Sequence, residues 1–406
     1  MRAVLPDTRE WPHAQRRRRG GVLAARAPSR LVLALAWCAC IASLYGLPTA
    51  AGYRLRDPDS ILHESLASSL AHRPPSEWVA PVWPPGYWGQ GVYSEHPACF
   101  LWLPALLERA GVSRGALLAN LLHVLALLYL LFRLTRRLAG DAAAWAAVAS
   151  YTLSPLGVQQ LLRANHEPAL GAAFLGAFAS LESPSGPLRG PLFVGCAVLA
   201  CAVKGVLGLL VLPAALAWWA VRSRRPRDLW WLAVACGAIA GAAALYESWF
   251  RAVTGSPFLR AYLASQFEGI AEAERGLGLW HLAIPLYYAV NLFWFALPGV
   301  QLFLLGLRRT ARKQRTAAQW LALTAGGACV VIASLFTRHA ARYVFPAYPL
   351  CHVPGGEEAC ERWPRLREWM DRRATALPYA LMSVLLAITA ARVWLDPRLF
   401  RFISLP

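Results

Sequence analysis

The sequence predicts an all-α polytopic integral membrane protein, and three observations carry that prediction. Hydrophobic residues make up 57% of the 406 residues and charged residues 16%, with a mean hydropathy of +0.39. Too little polar surface remains to cover a soluble core of this size. The apolar residues gather in segments approaching the ~20 residues that cross a bilayer. Between them lie short arginine clusters, 39 arginines in all against two lysines, Lys204 and Lys313. Clusters between apolar spans set membrane topology, whereas a nucleic-acid partner needs a continuous phosphate-tracking stripe, so no nucleic acid is expected. The nine cysteines are scattered, mostly inside apolar spans, with neither zinc-ligand nor disulfide-framework spacing.

Residues 1–30 form a basic N-terminus in which Arg16–Arg19 precede the first apolar run. That run, 31–51, reads as an uncleaved signal anchor because many further spans follow it. Apolar segments near 115–132, 142–162, 168–182, 190–203, 205–221, 229–250, 282–307, 318–336, 340–354 and 376–395 bring the expected count to about eleven spans. Laid back and forth, they put Arg16–Arg19, Arg133, Arg136 and Arg137, Arg189, the 222–227 cluster, Arg308–Arg315 and Arg362–Arg373 on one side. The positive-inside rule makes that side cytoplasmic, in a bacterial inner membrane with the N-terminus inside. Residues 31–354 are expected to form the membrane core, with 52–114 as a first outer loop and 251–280 as a long outer loop. Residues 355–406 are expected to form a basic cytoplasmic loop and a terminal span.

This layout gathers polar chemistry on the outer face. Asp57, Asp59, His63, Glu64, Glu95 and His96 come from the first loop, followed by Arg163, His166 and Glu167, then Lys204, then Arg338, His339 and Arg342. A transporter or flippase of a lipid-linked glycan, the first alternative, would place ionisable groups near the midplane on interrupted helices with repeat symmetry.

The first loop opens with D-P-D-S. The D-x-D spacing of Asp57 and Asp59 suits a metal on a nucleotide sugar, but no nucleotide-sugar pool exists on the outer face. A carboxylate there can act as a general base, or it can cap the helix that follows Pro58. In that helix Leu62, Leu66 and Leu70 form an apolar stripe suited to lying flat in the interface. Trp78, Trp83, Tyr87, Trp88 and Tyr93 read as an interfacial aromatic belt rather than a core. The E-H-P of Glu95–Pro97 and the R-A-N-H-E-P of Arg163–Pro168 place acids and imidazoles at span ends, and neither completes H-E-x-x-H. A divalent metal ion shared by Asp59, Glu167 and His166 is one arrangement these carboxylates allow, with no spacing to fix it. Lys204 between two apolar stretches either snorkels or meets an anion such as a phosphate. Arg338 and Arg342, at the start of a late outer segment, suit a lipid-borne phosphate.

Taken in order, these segments resemble the GT-C fold membrane glycosyltransferases, specifically the bacterial relatives of protein O-mannosyltransferase and of the aminoarabinose transferase of lipid A (glycosyltransferase families 39 and 83). The resemblance rests on Pro58–Asp59, Trp78–Pro81, Glu95–Pro97, Glu167–Pro168, Lys204–Gly205, Pro285–Tyr288 with Leu297–Pro298, and Arg342–Pro349. It departs where the family's D-E is Asp59–Ser60 and its E-K-P is Glu95–His96–Pro97. It implies a GT-C-type bundle with interfacial helices on the outer face, a polyprenyl-phosphate sugar donor and a lipid, glycan or protein acceptor. It implies Asp59 as catalytic acid group, Glu167 as a second acidic site, and Lys204 and Arg342 as lipid-phosphate contacts. Beside these, Asp57 is a further catalytic candidate, His96 and Arg338 are further phosphate ligands, and Glu95, His166 and Arg163 are candidates for positioning substrate. The expected activity is inverting sugar transfer at the outer face with Asp59 as base. A catalytically inactive lipid-binding relative is the second alternative.

Overall fold

The computed structural model describes residues 30–395 apart from 88, 184–185, 223–225, 274–279, 312–313 and 336–339, and describes the backbone alone at 30, 267–273 and 280–282. Arg338 and Lys313 therefore lie outside the described residues. Helices dominate, and the one pairing of extended backbone among the described residues is an isolated antiparallel bridge between Val82 and Val92.

The chain begins with α1 (Arg30–Ala50), and α2 (Pro58–Ala71) and α3 (Cys99–Arg109) follow in the first loop. Asp57 starts α2: its carboxylate accepts the Ser60 N–H at 3.0 Å, and Pro58 in the first turn has no N–H to satisfy. The Leu62, Leu66 and Leu70 stripe is at most 2% exposed and packs in the main core. This corrects the expectation of a stripe lying flat in the interface, because α3 and the next helix, α4 (Gly115–Ala139), cover it. Trp78 and Tyr93 are likewise core residues, at 8% and 1% exposure, rather than members of an interfacial belt. The small ribbon at Val82 and Val92, with the Tyr93 N–H on Pro81 O at 2.7 Å, folds the loop inward over them.

Next come α5 (Asp141–Thr152), α6 (Pro155–Gln160), α7 (Glu167–Leu181), α8 (Arg189–Lys204) and α9 (Val211–Arg222). The apolar run Arg189–Arg222 is 34 residues long. It nevertheless folds back on itself at Gly205, whose φ is +52°, a conformation that excludes a side chain. A 3₁₀ segment, Gly205–Leu210, carries the turn. A Cβ at Gly208 would lie 2.2 Å from Ala200 O, so the 3₁₀ segment packs directly on the end of α8. Both ends of the run then meet partners at one end of the bundle. Trp218 Nε1 donates to Glu182 Oε1 at 3.0 Å, Arg222 lies 3.9 Å from Glu182, and Arg189 pairs with Asp228 at 2.9 Å. Lys204 consequently sits at the opposite end, at the hairpin tip.

The remainder runs through α10 (Pro226–Thr254), α11 (Phe258–Ala273), α12 (Trp280–Phe295) and α13 (Gly299–Arg309). The expected long loop 251–280 is thus largely helical. Helices α14 (Ala317–Leu321) and α15 (Gly327–Ala333) are joined by a π-helical turn, Ala322–Gly326. Then follow α16 (Ala347–Arg362), α17 (Pro364–Arg372) and α18 (Leu377–Trp394). Helix α16 is buried along almost its whole length and runs through residue 354, where the membrane core was expected to stop.

Among the described residues, five helical runs are long and apolar enough to cross a membrane, one of them the Arg189–Arg222 run that folds back at Gly205, or up to six if the pair bent by 108° between α12 and α13 is one span. The expectation of about eleven does not match this count. The difference lies in short elements such as α7, whose 15 residues extend about 22 Å, less than the ~30 Å of a bilayer core. Large apolar side chains left exposed on the long runs, Leu245, Trp230 and Leu31 among them, face where lipid would be. These runs make the chain an integral membrane protein.

Candidate active site

One end of the bundle collects the polar residues expected to act, and each reaches it for a local reason. Asp59 lies in the first turn of α2, where a carboxylate also favours the helix N-terminus. Glu167 is the first residue of α7, following His166. Lys204 ends α8 because Gly205 can take the backward turn; a Cβ there would meet the Tyr262 hydroxyl at 2.1 Å. Arg342 lies on a 3₁₀ segment, Ala341–Val344, that feeds α16.

Two ion pairs result. Lys204 Nζ donates to Glu167 Oε1 at 2.7 Å, with both side chains 1% exposed. Arg342 pairs with Asp59, and here the side chains are 39% and 29% exposed. The pairs are coupled: Asp59 and Arg342 both act electrostatically on Lys204, and Glu167 and Glu95 act on Arg342. Asp57 is set apart, capping α2 and lying 3.7 Å from Arg163 Nε.

A cluster of imidazoles adjoins the buried pair. His166 Nε2 lies 3.3 Å from Glu167 Oε1, and the His166 ring lies 5.0 Å from that of His96 and 5.2 Å from that of His63. Burial pushes all three imidazoles down, His166 to about 3, so they are uncharged near neutral pH. Several buried polar atoms here have no partner in the protein: Glu167 Oε2, His166 Nδ1, His96 Nδ1, Asn165 Nδ2 and the Tyr93 hydroxyl. Buried groups left unpaired in this way are what a polar ligand or ordered water would satisfy.

The expected site residues therefore divide. The structure brings together Asp59, Arg342, Glu167, Lys204, His166 and His96, with Glu95 in electrostatic reach and Arg163 beside Asp57. Lys204, expected to touch a phosphate directly, is instead enclosed with Glu167. The proposed metal set of Asp59, Glu167 and His166 does not fit a cation well, because each carboxylate already faces a cationic side chain. Among the described residues no group of three or more His, Cys, Asp or Glu side chains converges as a ligand set.

Sequence reasoning gave no site role to three contributors, Ser60, His63 and Asn120. Ser60 is fully buried and its hydroxyl accepts the Ala164 N–H at 2.9 Å, while His63 Nδ1 lies 3.0 Å from Ala164 O. Together they tie α2 to the turn before Glu167. This explains why a small hydroxyl residue follows Asp59: a glutamate would put an unpaired charge in the space Ser60 fills. Asn120, within an apolar span, accepts the Asn165 N–H at 3.3 Å and donates to Gln160 O at 2.8 Å. A buried asparagine in such a span was the available signal, since it is costly without partners.

No family model matches the chain, and no curated protein matches it in sequence. Among solved structures its fold is similar to ArnT from Cupriavidus metallidurans bound to undecaprenyl phosphate, at 15% identity and a TM-score of 0.63, over 92% of this chain and 73% of that one. It is similar to the same protein in the apo state, at 16% identity and TM-score 0.53, over 84% of this chain and 60% of that one. It is also similar to the oligosaccharyltransferase of Archaeoglobus fulgidus tethered to an acceptor peptide containing the NVT sequon, at 13% identity and TM-score 0.52, over 90% of this chain and 55% of that one. The chain thus spans between about half and three quarters of the length of these proteins. The GT-C-type bundle expected from the sequence is the fold.

Proposed function

We propose that this chain is a membrane glycosyltransferase that moves a sugar from a polyprenyl-phosphate donor to an acceptor at the outer face of the bacterial inner membrane. The observation that carries the reading is the convergence of Asp59, Arg342, Glu167 and Lys204 at one end of a bundle whose fold resembles a protein bound to undecaprenyl phosphate.

In this reading the acceptor hydroxyl attacks the anomeric carbon from the side opposite the phosphate. The bond between that carbon and the phosphate oxygen breaks, the configuration inverts, and the hydroxyl proton passes to Asp59. The leaving polyprenyl phosphate takes the electron pair and departs as an anion without a proton. Arg342 is the exposed cation beside Asp59, and its fork of N–H groups suits a phosphate. A donor phosphate would compete with Asp59 for Arg342, so binding would release the base. His96 faces the same end and would supply a neutral donor. Glu167 and Lys204 would hold the turn that carries His166.

A cell-free assay of the purified full chain with radiolabelled polyprenyl-phosphate sugars tests this. The expected result is transfer to an acceptor or slow release of the sugar, lost in Asp59→Asn. Movement of the lipid-linked sugar across vesicle membranes without cleavage would favour a flippase, and binding without either would indicate an inactive relative. Orientation is tested separately with a cysteine-free background. A cysteine at exposed Gln90 should react with an impermeant thiol reagent in intact cells, and one at exposed Gln314 should not.

A further inference from the structure

Behind the imidazole cluster lies a narrow cleft between α3, α4 and the turn before α7, lined by His63, Asn120, His123, Asn165 and His166 over a floor of alanines. Its free heart is water-sized, enough for one hydroxyl group and too small for a ring.

Two lining side chains, both more than nine-tenths buried, offer unused polar atoms: Asn165 Nδ2 and His166 Nδ1. Apart from His166 Nε2 and the half-buried His123 ring, the polar groups around them have neighbours. Asn165 Oδ1 accepts the His166 N–H at 2.8 Å, Asn120 uses its amide on Gln160 O and the Asn165 N–H, and His63 faces Ala164 O. His166 Nε2, likewise without a hydrogen bond in the protein, lies 3.3 Å from Glu167 Oε1, and that carboxylate favours the ring proton on Nε2, which leaves Nδ1 as an acceptor. Asn165 therefore brings an unused donor to the lining of the cleft, and His166 an unused acceptor. A hydroxyl group, which both accepts and donates, satisfies both atoms. An ammonium group would set its hydrogens against the Asn165 amide hydrogens, and no aspartate or glutamate is among the lining residues.

We infer that this cleft reads one hydroxyl of an uncharged sugar and discriminates against a derivative carrying an amino group, or nothing, at that position. The inference rests on the glycosyltransferase reading and names the sugar class that site would take. The hydroxyl belongs either to the donor's sugar or to a sugar acceptor, and the same chemistry serves both.

The test uses the purified full chain in detergent and three probes: bare undecaprenyl phosphate, undecaprenyl-phosphate hexose with each hydroxyl replaced in turn by hydrogen or an amino group, and soluble hexosides replaced likewise. Wild type should lose roughly 10- to 100-fold in affinity at one position, the cost of leaving two buried polar atoms unpaired. Loss among the lipid-linked probes assigns the hydroxyl to the donor, and loss among the soluble hexosides assigns it to the acceptor; either supports the inference. Asn165→Asp keeps the bond to the His166 N–H and should reverse the preference toward the amino derivative. Ala119→Val, which fills the cleft without touching the network, should abolish the discrimination while leaving affinity for bare undecaprenyl phosphate unchanged. Equal affinity for every derivative, or an unchanged order in Asn165→Asp, would overturn the inference and leave the cleft as the seat of a structural water. Failure of wild type to bind bare undecaprenyl phosphate would instead overturn the proposed function, and the hexoside arm would still judge the cleft.

Discussion

The two ion pairs at the site end use the same chemistry in opposite surroundings. Lys204 and Glu167 are each 1% exposed, whereas Arg342 and Asp59 are 39% and 29% exposed. A buried pair must hold its geometry, because either charge left alone in the interior is very unfavourable. An exposed pair can open at little cost and offer each partner to a ligand. The difference assigns architecture to the first and chemistry to the second, although the sequence reading made site residues of both carboxylates and phosphate contacts of both cations.

The largest effect that could break this comparison concerns the buried pair. Lys204→Met should destabilise the protein by about 3–5 kcal/mol in a denaturation series in detergent, since it strands the Glu167 carboxylate. The double variant Lys204→Met with Glu167→Leu should recover most of that loss, because a well-packed apolar pair replaces a desolvated ionic one. If the single variant is as stable as wild type, Lys204 is not bound as described.

Next in size is Asp59→Asn. Sugar transfer or release should fall at least about 100-fold while unfolding free energy stays within about 1 kcal/mol of wild type. A large stability loss with residual turnover would make Asp59 an architectural residue like Glu167. Arg342→Gln should weaken binding of undecaprenyl phosphate by roughly 10- to 150-fold, the loss expected for a charge-assisted contact of about 1.5–3 kcal/mol. Equal binding by the two proteins would place the phosphate elsewhere. The smallest effect belongs to Asp57. Asp57→Ala should cost about 1 kcal/mol through loss of the α2 cap and change turnover only a few-fold, measured on the same preparations.

Much of this arrangement was legible in the sequence. Composition and the placement of arginines gave an all-helical membrane bundle, and the two apolar stretches on either side of Lys204 placed that lysine at a span end. The polar residues of D-P-D-S, R-A-N-H-E-P and the segment around Arg342 meet at one end, as their alternate placement between spans required. What could not be read was pairing. Nothing in the spacing says that Lys204 turns toward Glu167 and Arg342 toward Asp59, because both choices satisfy the same charges. The aromatic residues misled for a related reason: Trp78 and Tyr93 have the amphipathic character that suits an interface, and only the inward fold of the first loop makes them core. Ser60 looked like a departure from a motif until its hydroxyl was seen holding the Ala164 N–H. Helix lengths were overread because a short helix packed among others, such as α7, need not span a bilayer by itself.

The most direct test sets the two pairs side by side in one measurement: single-turnover release of sugar from a radiolabelled polyprenyl-phosphate hexose by wild type, by Asp59→Asn, and by the apolar double variant at Lys204 and Glu167. The account predicts that the double variant keeps its rate within about 10-fold of wild type while Asp59→Asn loses at least about 100-fold. The reverse order, with Asp59→Asn active and the double variant silent, would contradict it and move the chemistry to the buried pair.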